Sequence, residues 1–109
     1  MNWEIEFTDQ SKRDLRDILD YITYELQEPQ VAVKLVRQIT QEILSLNQMP
    51  MRYRLYEEEP WQSQGLRCFS VKNYLIFYYP DETKNTVYVV RVIYGGRDIS
   101  RQLSETETI

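Results

Sequence analysis

The sequence has 109 residues, 42% of them hydrophobic, with no histidine, one cysteine and a formal charge of -4. That length and composition suit one core and one domain over residues 1–109. Without imidazole, Ser/His/Asp triads and His-ligated metals are excluded, and Cys68 alone supports neither an internal disulfide nor a structural zinc site. The negative balance argues against broad adhesion to nucleic acid. No run nears the ~20 apolar residues a membrane helix needs, so a soluble, unexported, cytoplasmic protein is expected.

Trp3, Ile5 and Phe7 alternate with Asn2, Glu4 and Glu6, the period of a strand with one buried face. Thr8 can cap a helix whose apolar stripe is Leu15, Ile18, Leu19, Ile22 and Leu26. Glu28-Pro29 ends that helix and opens another, because proline suits only a first turn. The second stripe is Ala32, Leu35, Val36, Ile39, Ile43 and Leu46, closing near Asn47 with Pro50 beyond. So short a link predicts an antiparallel helical hairpin. From Gln48 to Gly65 the periodicity fades, which predicts either a functional loop or a short strand around Tyr53 to Tyr56. The triplet Glu57, Glu58, Glu59 reads as solvated surface, since adjacent side chains rarely converge on one ion.

Three strands follow, over Leu66–Val71, Tyr74–Tyr79 and Thr86–Tyr94, separated by Lys72-Asn73 and by the turn-rich Pro80 to Asn85. This is an antiparallel meander. A simple alternation puts Tyr88, Val90, Val92 and Tyr94 on one face of the last strand and Val87, Val89, Arg91 and Ile93 on the other. Two helices cover one side of a small sheet but hardly both. The second side is then expected to meet a partner, to be shielded in part by Asp98 to Leu103 folding back as a short helix, or both. Charge is also uneven: residues 66–97 carry 5 basic groups against 2 acidic ones, while residues 1–47 carry 5 against 9.

The motifs Trp3-x-Ile5-x-Phe7-Thr8, Asp14-Leu15, Ile18, Asp20-Tyr21-Ile22 and Pro29-x-x-Ala32 occur in that order. So do Leu66-Arg67-x-Phe69-x-Val71, Tyr74-x-Ile76-Phe77-Tyr78 and Arg91-Val92-Ile93-Tyr94-Gly95-Gly96-Arg97-Asp98. Across nearly its whole length the chain resembles the RelE/ParE toxins of bacterial type II toxin-antitoxin (plasmid stabilisation) modules, closer to the ParE branch. The resemblance implies an α+β fold: an N-terminal strand, the helical hairpin, and the meander forming one twisted sheet with the first strand, then a short C-terminal helix. It also implies a cognate antitoxin that wraps the toxin into a hetero-oligomer; no cofactor and no metal are expected.

The family divides into non-enzymatic poisons of DNA gyrase and ribosome-dependent messenger RNA endonucleases, and a third possibility is an interaction module without toxicity. Metal-independent RNA cleavage needs groups that activate a 2′-hydroxyl, stabilise a charged phosphate and protonate the leaving oxygen. Arg67, Lys72, Arg91 and Arg97 are candidate charge stabilisers, with Tyr94 or Tyr74 as proton donor or stacking platform. RelE-like enzymes carry an arginine early in the middle meander strand, where this chain has Tyr74 and Leu75. The gyrase reading needs no catalytic group. The residues expected to meet antitoxin or target are Val87, Val89, Arg91, Ile93, Tyr94 and Arg97. Each has a plain alternative: Arg97 as a clamp on Asp98 or a carbonyl beside Gly95-Gly96, Arg91 paired beneath the fold, Arg67 and Lys72 as ordinary strand-end charges.

Overall fold

A computed structural model of the chain describes residues 2–96 and 98–106. Strand β1 (Glu4–Phe7) leads into helix α1 (Asp9–Asp20), a π-helical segment (Tyr21–Glu25) and helix α2 (Pro29–Leu44). Two 3-10 turns (Ser45–Asn47, Pro50–Arg52) and a short helix α3 (Trp61–Gln64) precede the meander β2 (Arg67–Val71), β3 (Tyr74–Asp81) and β4 (Thr86–Tyr94), and α4 (Ile99–Ser104) follows. The sheet order is β1-β4-β3-β2, with β1 parallel to β4 and the meander antiparallel. The connection after α2 thus holds 3-10 and helical turns, and its only strand-like element among the described residues is one bridge, Leu55 to Arg67.

Thr8 fixes where strand becomes helix. Its hydroxyl oxygen accepts the Ser11 amide at 3.2 Å as an N-cap, while its own amide donates to the Val89 carbonyl at 3.1 Å. The hairpin stripes bury as expected through Ile18, Ile22, Ala32, Ile39, Ile43 and Leu46. Leu26 does not follow: it is 52% exposed. Its amide donates to the Tyr21 carbonyl five residues back, and this wider π turn takes Leu26 off the 3.6-residue stripe.

The helical layer packs on Phe69, Val71, Ile76, Tyr78, Val87, Val89 and Val92. The opposite sheet face carries Leu66, Phe77, Val90 and Ile93, covered by Leu103 of α4 and flanked by Tyr56, Trp61 and Ile99. The second side is therefore closed in large part by the chain's own residues, as the self-shielding expectation has it. The β4 faces also need correction. Opposite Phe77 and Tyr78 the register slips, so that Phe77 pairs with Arg91 and Tyr78 with Val89, leaving Val90 as the extra residue. A bulge of this kind puts two successive residues on one side. Val87 and Val89 consequently share the helical side with Val92, while Val90 shares the other with Ile93.

Candidate functional site

Arg91 lies opposite Phe77, at the bulge. Its Nε donates to Asp14 Oδ2 at 2.8 Å and its Nη2 to Asp14 Oδ1 at 3.1 Å, a bidentate pair whose side chains are only 11% and 8% exposed. Its Nη1 donates to the Gln102 carbonyl at 3.1 Å and the Thr106 hydroxyl at 3.0 Å. One guanidinium thus ties α1, β4 and the C-terminal end of α4 together. Arg91 is paired beneath the fold and does not stand on an open partner face.

Arg67 pairs across β2–β3 with Tyr78, so it belongs to the helical side of the sheet. Its Nη1 donates to the carbonyls of Tyr53 at 2.6 Å and Met51 at 3.3 Å, holding the connecting segment against the strand. Beside it the Tyr78 hydroxyl donates to the Pro50 carbonyl at 2.6 Å, and burial pushes that phenol up to about 12. Arg67 also lines a cavity of about 230 Å³ with Met51, Leu55, Tyr79 and Glu82. Because Phe77 and Tyr78 are adjacent on β3 and face opposite ways, the sheet separates Arg91 from Arg67. They do not converge on one phosphate.

The remaining candidates gather at one end of the sheet. Lys72 occupies the β2–β3 turn, exposed, at φ 55. Tyr74 and Tyr94 are cross-strand partners, their rings edge to face with centroids 5.5 Å apart, and Tyr94 is 45% exposed. The Gly95 amide donates to the Asn73 carbonyl at 2.8 Å, which brings the Gly95-Gly96 turn beside the Lys72 turn. Arg97 lies outside the described residues. Asp98 caps α4, its carboxylate accepting the Arg101 amide at 3.3 Å. Val87 and Val89 are fully buried under the helices and Ile93 is 2% exposed beneath α4, so none offers surface to a partner, contrary to expectation. Their apolar character serves the chain's own core.

Sequence reasoning did not assign Asp14 a role. The signal was present: Asp14 precedes Ile18 and Ile22 at four-residue spacing, so it sits on the inward stripe, where a carboxylate requires a cation and donors. The glutamate triplet is surface that braces its neighbours: Glu58 accepts from the hydroxyls of Tyr56 at 2.8 Å and Ser100 at 3.0 Å, and Glu59 accepts the Ser63 hydroxyl at 2.8 Å. Burial and that Glu58 contact raise the Tyr56 phenol, and burial raises the Cys68 thiol. Among the described residues no cluster of His, Cys, Asp and Glu could hold a metal, and no helix is long and apolar enough to cross a membrane.

Residues 5–99 match the family model described as the ParE toxin of the type II toxin-antitoxin system parDE. Comparison with curated sequences gives no significant match. Among solved structures, the chain is similar to the chromosomal ParDE toxin-antitoxin system of P. aeruginosa, with TM-score 0.69 and 19% identity over 84% of this chain and 95% of that one. It is also similar to the RelBE2 toxin-antitoxin complex of Mycobacterium tuberculosis, with TM-score 0.63 and 19% identity over 86% and 99%. A free-state mutant of the E. coli toxin RelE gives TM-score 0.66 at 14% identity over 96% and 94%. These likenesses establish a shared fold, and the family match covers most of the chain. The chain belongs to the ParE toxin family of type II toxin-antitoxin systems.

Proposed function

We propose that this chain arrests bacterial growth as a ParE-like, non-enzymatic inhibitor of DNA gyrase and that a cognate antitoxin neutralises it by forming a hetero-oligomer with it. The observation that carries the reading is the engagement of Arg91 by Asp14, with Arg67 on the far side of the sheet. Phosphoryl chemistry on RNA needs cations aimed at one developing charge, whereas these two brace the fold. The exposed contact group that remains is Lys72 and Tyr94 at the end of the sheet, joined in this proposal by Arg97. Inhibition by binding requires only such a surface.

Purified chain is to be added in parallel to a gyrase supercoiling assay and to translating ribosomes. Loss of supercoiling with intact transcripts is expected. Transcript cutting at the ribosome with supercoiling unaffected would instead establish the RelE-like endonuclease reading. Normal growth of a bacterium producing abundant soluble chain would leave only an interaction module. At equal protein levels Arg97→Ala is expected to weaken growth arrest, and full arrest would return this arginine to a structural role.

A further inference from the structure

At the end of the sheet opposite Lys72 and Tyr94, β2 begins at Arg67 and β3 closes at Asp81. The cavity of about 230 Å³ lies there, open to solvent. Met51 and Leu55 of the connecting segment border it, together with Arg67, Tyr79, Pro80 and Glu82 of the strands and the turn after β3. Two opposite charges line it without pairing. Arg67 commits Nη1 to the Met51 and Tyr53 carbonyls, while Nε and Nη2 find no acceptor among the described residues. A guanidinium grips a carboxylate through two such N–H groups side by side. Glu82 is exposed and enters no ion pair among the described residues. The neighbouring Asp81 is occupied by the turn itself, accepting the Thr83 hydroxyl at 2.6 Å and the Thr83 amide at 3.0 Å.

We propose that this cavity is a binding site for a small zwitterion, a free amino acid with an apolar side chain. Its carboxylate would take the Nε and Nη2 donors of Arg67, its ammonium would face Glu82, and its side chain would lie on Met51, Leu55 and Pro80. The charges select this class. A phosphate or a simple carboxylate would gain Arg67 but meet the repulsion of Glu82, and a simple amine the reverse. Only a molecule bearing both signs finds both partners. Size agrees: a water takes about 30 Å³ of liquid, so the space exceeds what one ion fills, yet it falls short of the roughly 300 Å³ at which pockets for drug-sized ligands begin. A nucleotide is too large for it. The bound molecule would join the connecting segment to the strands, adding to the tie that Arg67 Nη1 already makes, and would stabilise the fold by mass action. The inference does not depend on which target the toxin attacks.

The test titrates the isotope-labelled full chain with leucine, with isocaproate, which lacks the ammonium, with isoamylamine, which lacks the carboxylate, and with inorganic phosphate. The nuclear magnetic resonances of the Gly65 amide and the Arg67 Nε–H report on the site. Leucine is expected to shift both saturably in the millimolar range, and isocaproate and isoamylamine to bind about fivefold more weakly or worse. Glu82→Gln, in an exposed turn, should bring leucine down to the level of isocaproate, and Glu82→Lys should make isocaproate the tighter of the two. Arg67→Lys, with circular dichroism verifying the fold, should weaken leucine and isocaproate and leave isoamylamine unchanged. The thermal midpoint of the unaltered chain should rise with leucine concentration. The proposal would be overturned by the absence of a saturable shift in the millimolar range, or by shifts confined to residues away from the cavity. Isocaproate or phosphate binding the unaltered chain as tightly as leucine would also overturn it, because the site would then be one for anions alone. Leucine binding indifferent to both Glu82 variants would do the same.

Discussion

Replacing Asp14 by alanine removes a carboxylate that accepts four hydrogen bonds: from Arg91 Nε at 2.8 Å, Arg91 Nη2 at 3.1 Å, the Val92 amide at 2.9 Å and Gln10 Nε2 at 3.1 Å. The variant leaves a guanidinium almost wholly out of solvent with no counter-charge, and a buried amide without its acceptor. Breaking a buried pair from one side costs about 3–5 kcal/mol, against a total of roughly 5–15 kcal/mol for a domain. With a urea slope of about 1–3 kcal/mol/M, the unfolding midpoint followed by tryptophan fluorescence should fall by about 2 M. Arg91→Met in the Asp14→Ala background removes the stranded cation, so the double variant should recover part of the loss, with a coupling of about 2 kcal/mol in the cycle. Arg91→Lys should rescue little, because an ammonium cannot reproduce the bidentate fork. A midpoint shift for Asp14→Ala under about 0.5 M, or strictly additive single variants, would refute the assignment of this pair as the tie between α1 and β4.

Tyr78→Phe should cost about 1–3 kcal/mol, because the buried Pro50 carbonyl loses its donor. The Tyr78 phenol is raised in the fold to about 12 from its ordinary 10.0, so the folded state holds that proton more tightly than the unfolded chain. Its contribution is complete below the unfolded value and lost as pH climbs through the folded one; urea midpoints between those limits should therefore decline less in Tyr78→Phe than in the unaltered chain. Gly65 has φ +89 and an added Cβ would stand 3.1 Å from Tyr79 Cε1, so Gly65→Ala should destabilise by roughly 1–2 kcal/mol, read from the thermal midpoint. The Cys68 thiol, raised by burial in β2, should react slowly with a disulfide reagent at neutral pH and promptly in urea. Prompt reaction in the native state would contradict that burial.

The hairpin and the meander were legible because their apolar spacing is regular, and β4 occupies the predicted Thr86–Tyr94, whereas the short last helix was expected only as a possible cover for the second face and from the family resemblance. Regularity is also where sequence reading failed. Alternation assumes that every residue of a strand meets one partner, and the bulge opposite Phe77 and Tyr78 breaks that count. Nothing in Val89-Val90-Arg91 announces the slip, since valine suits either face. Leu26 fails for a parallel reason: one π turn shifts the phase, and the residues Tyr21 to Glu25 carry no glycine or proline to mark it. The cover of the second face depends on Trp61 and Tyr56, which sit in a segment without periodicity. As for the site, sequence marked Arg67, Arg91 and Lys72 as cations without revealing which were already paired, because their acceptors, Asp14 and the Met51 and Tyr53 carbonyls, are distant in the chain.

The parallel pairing of β1 stops at Phe7 and Val89, while β4 continues to Tyr94, so the second half of a central strand would have an open edge. The chain fills that edge with side chains and a helix start instead of more strand. Thr8 donates through its amide and hydroxyl to the Val89 carbonyl and through the hydroxyl also to the Val90 carbonyl, and Asp14 accepts the Val92 amide. Open edges recruit foreign strands; this one is occupied. The bulge belongs to the same arrangement, because it places Arg91 on the face away from the helices, beside α4, while Asp14 at the edge remains within reach of its Nε and Nη2. Asp14 thereby satisfies a backbone donor and a cation at once, and Arg91 carries the tie onward to Gln102 and Thr106. An extended partner segment would have to displace α1 to pair here, at the cost of stranding both charges.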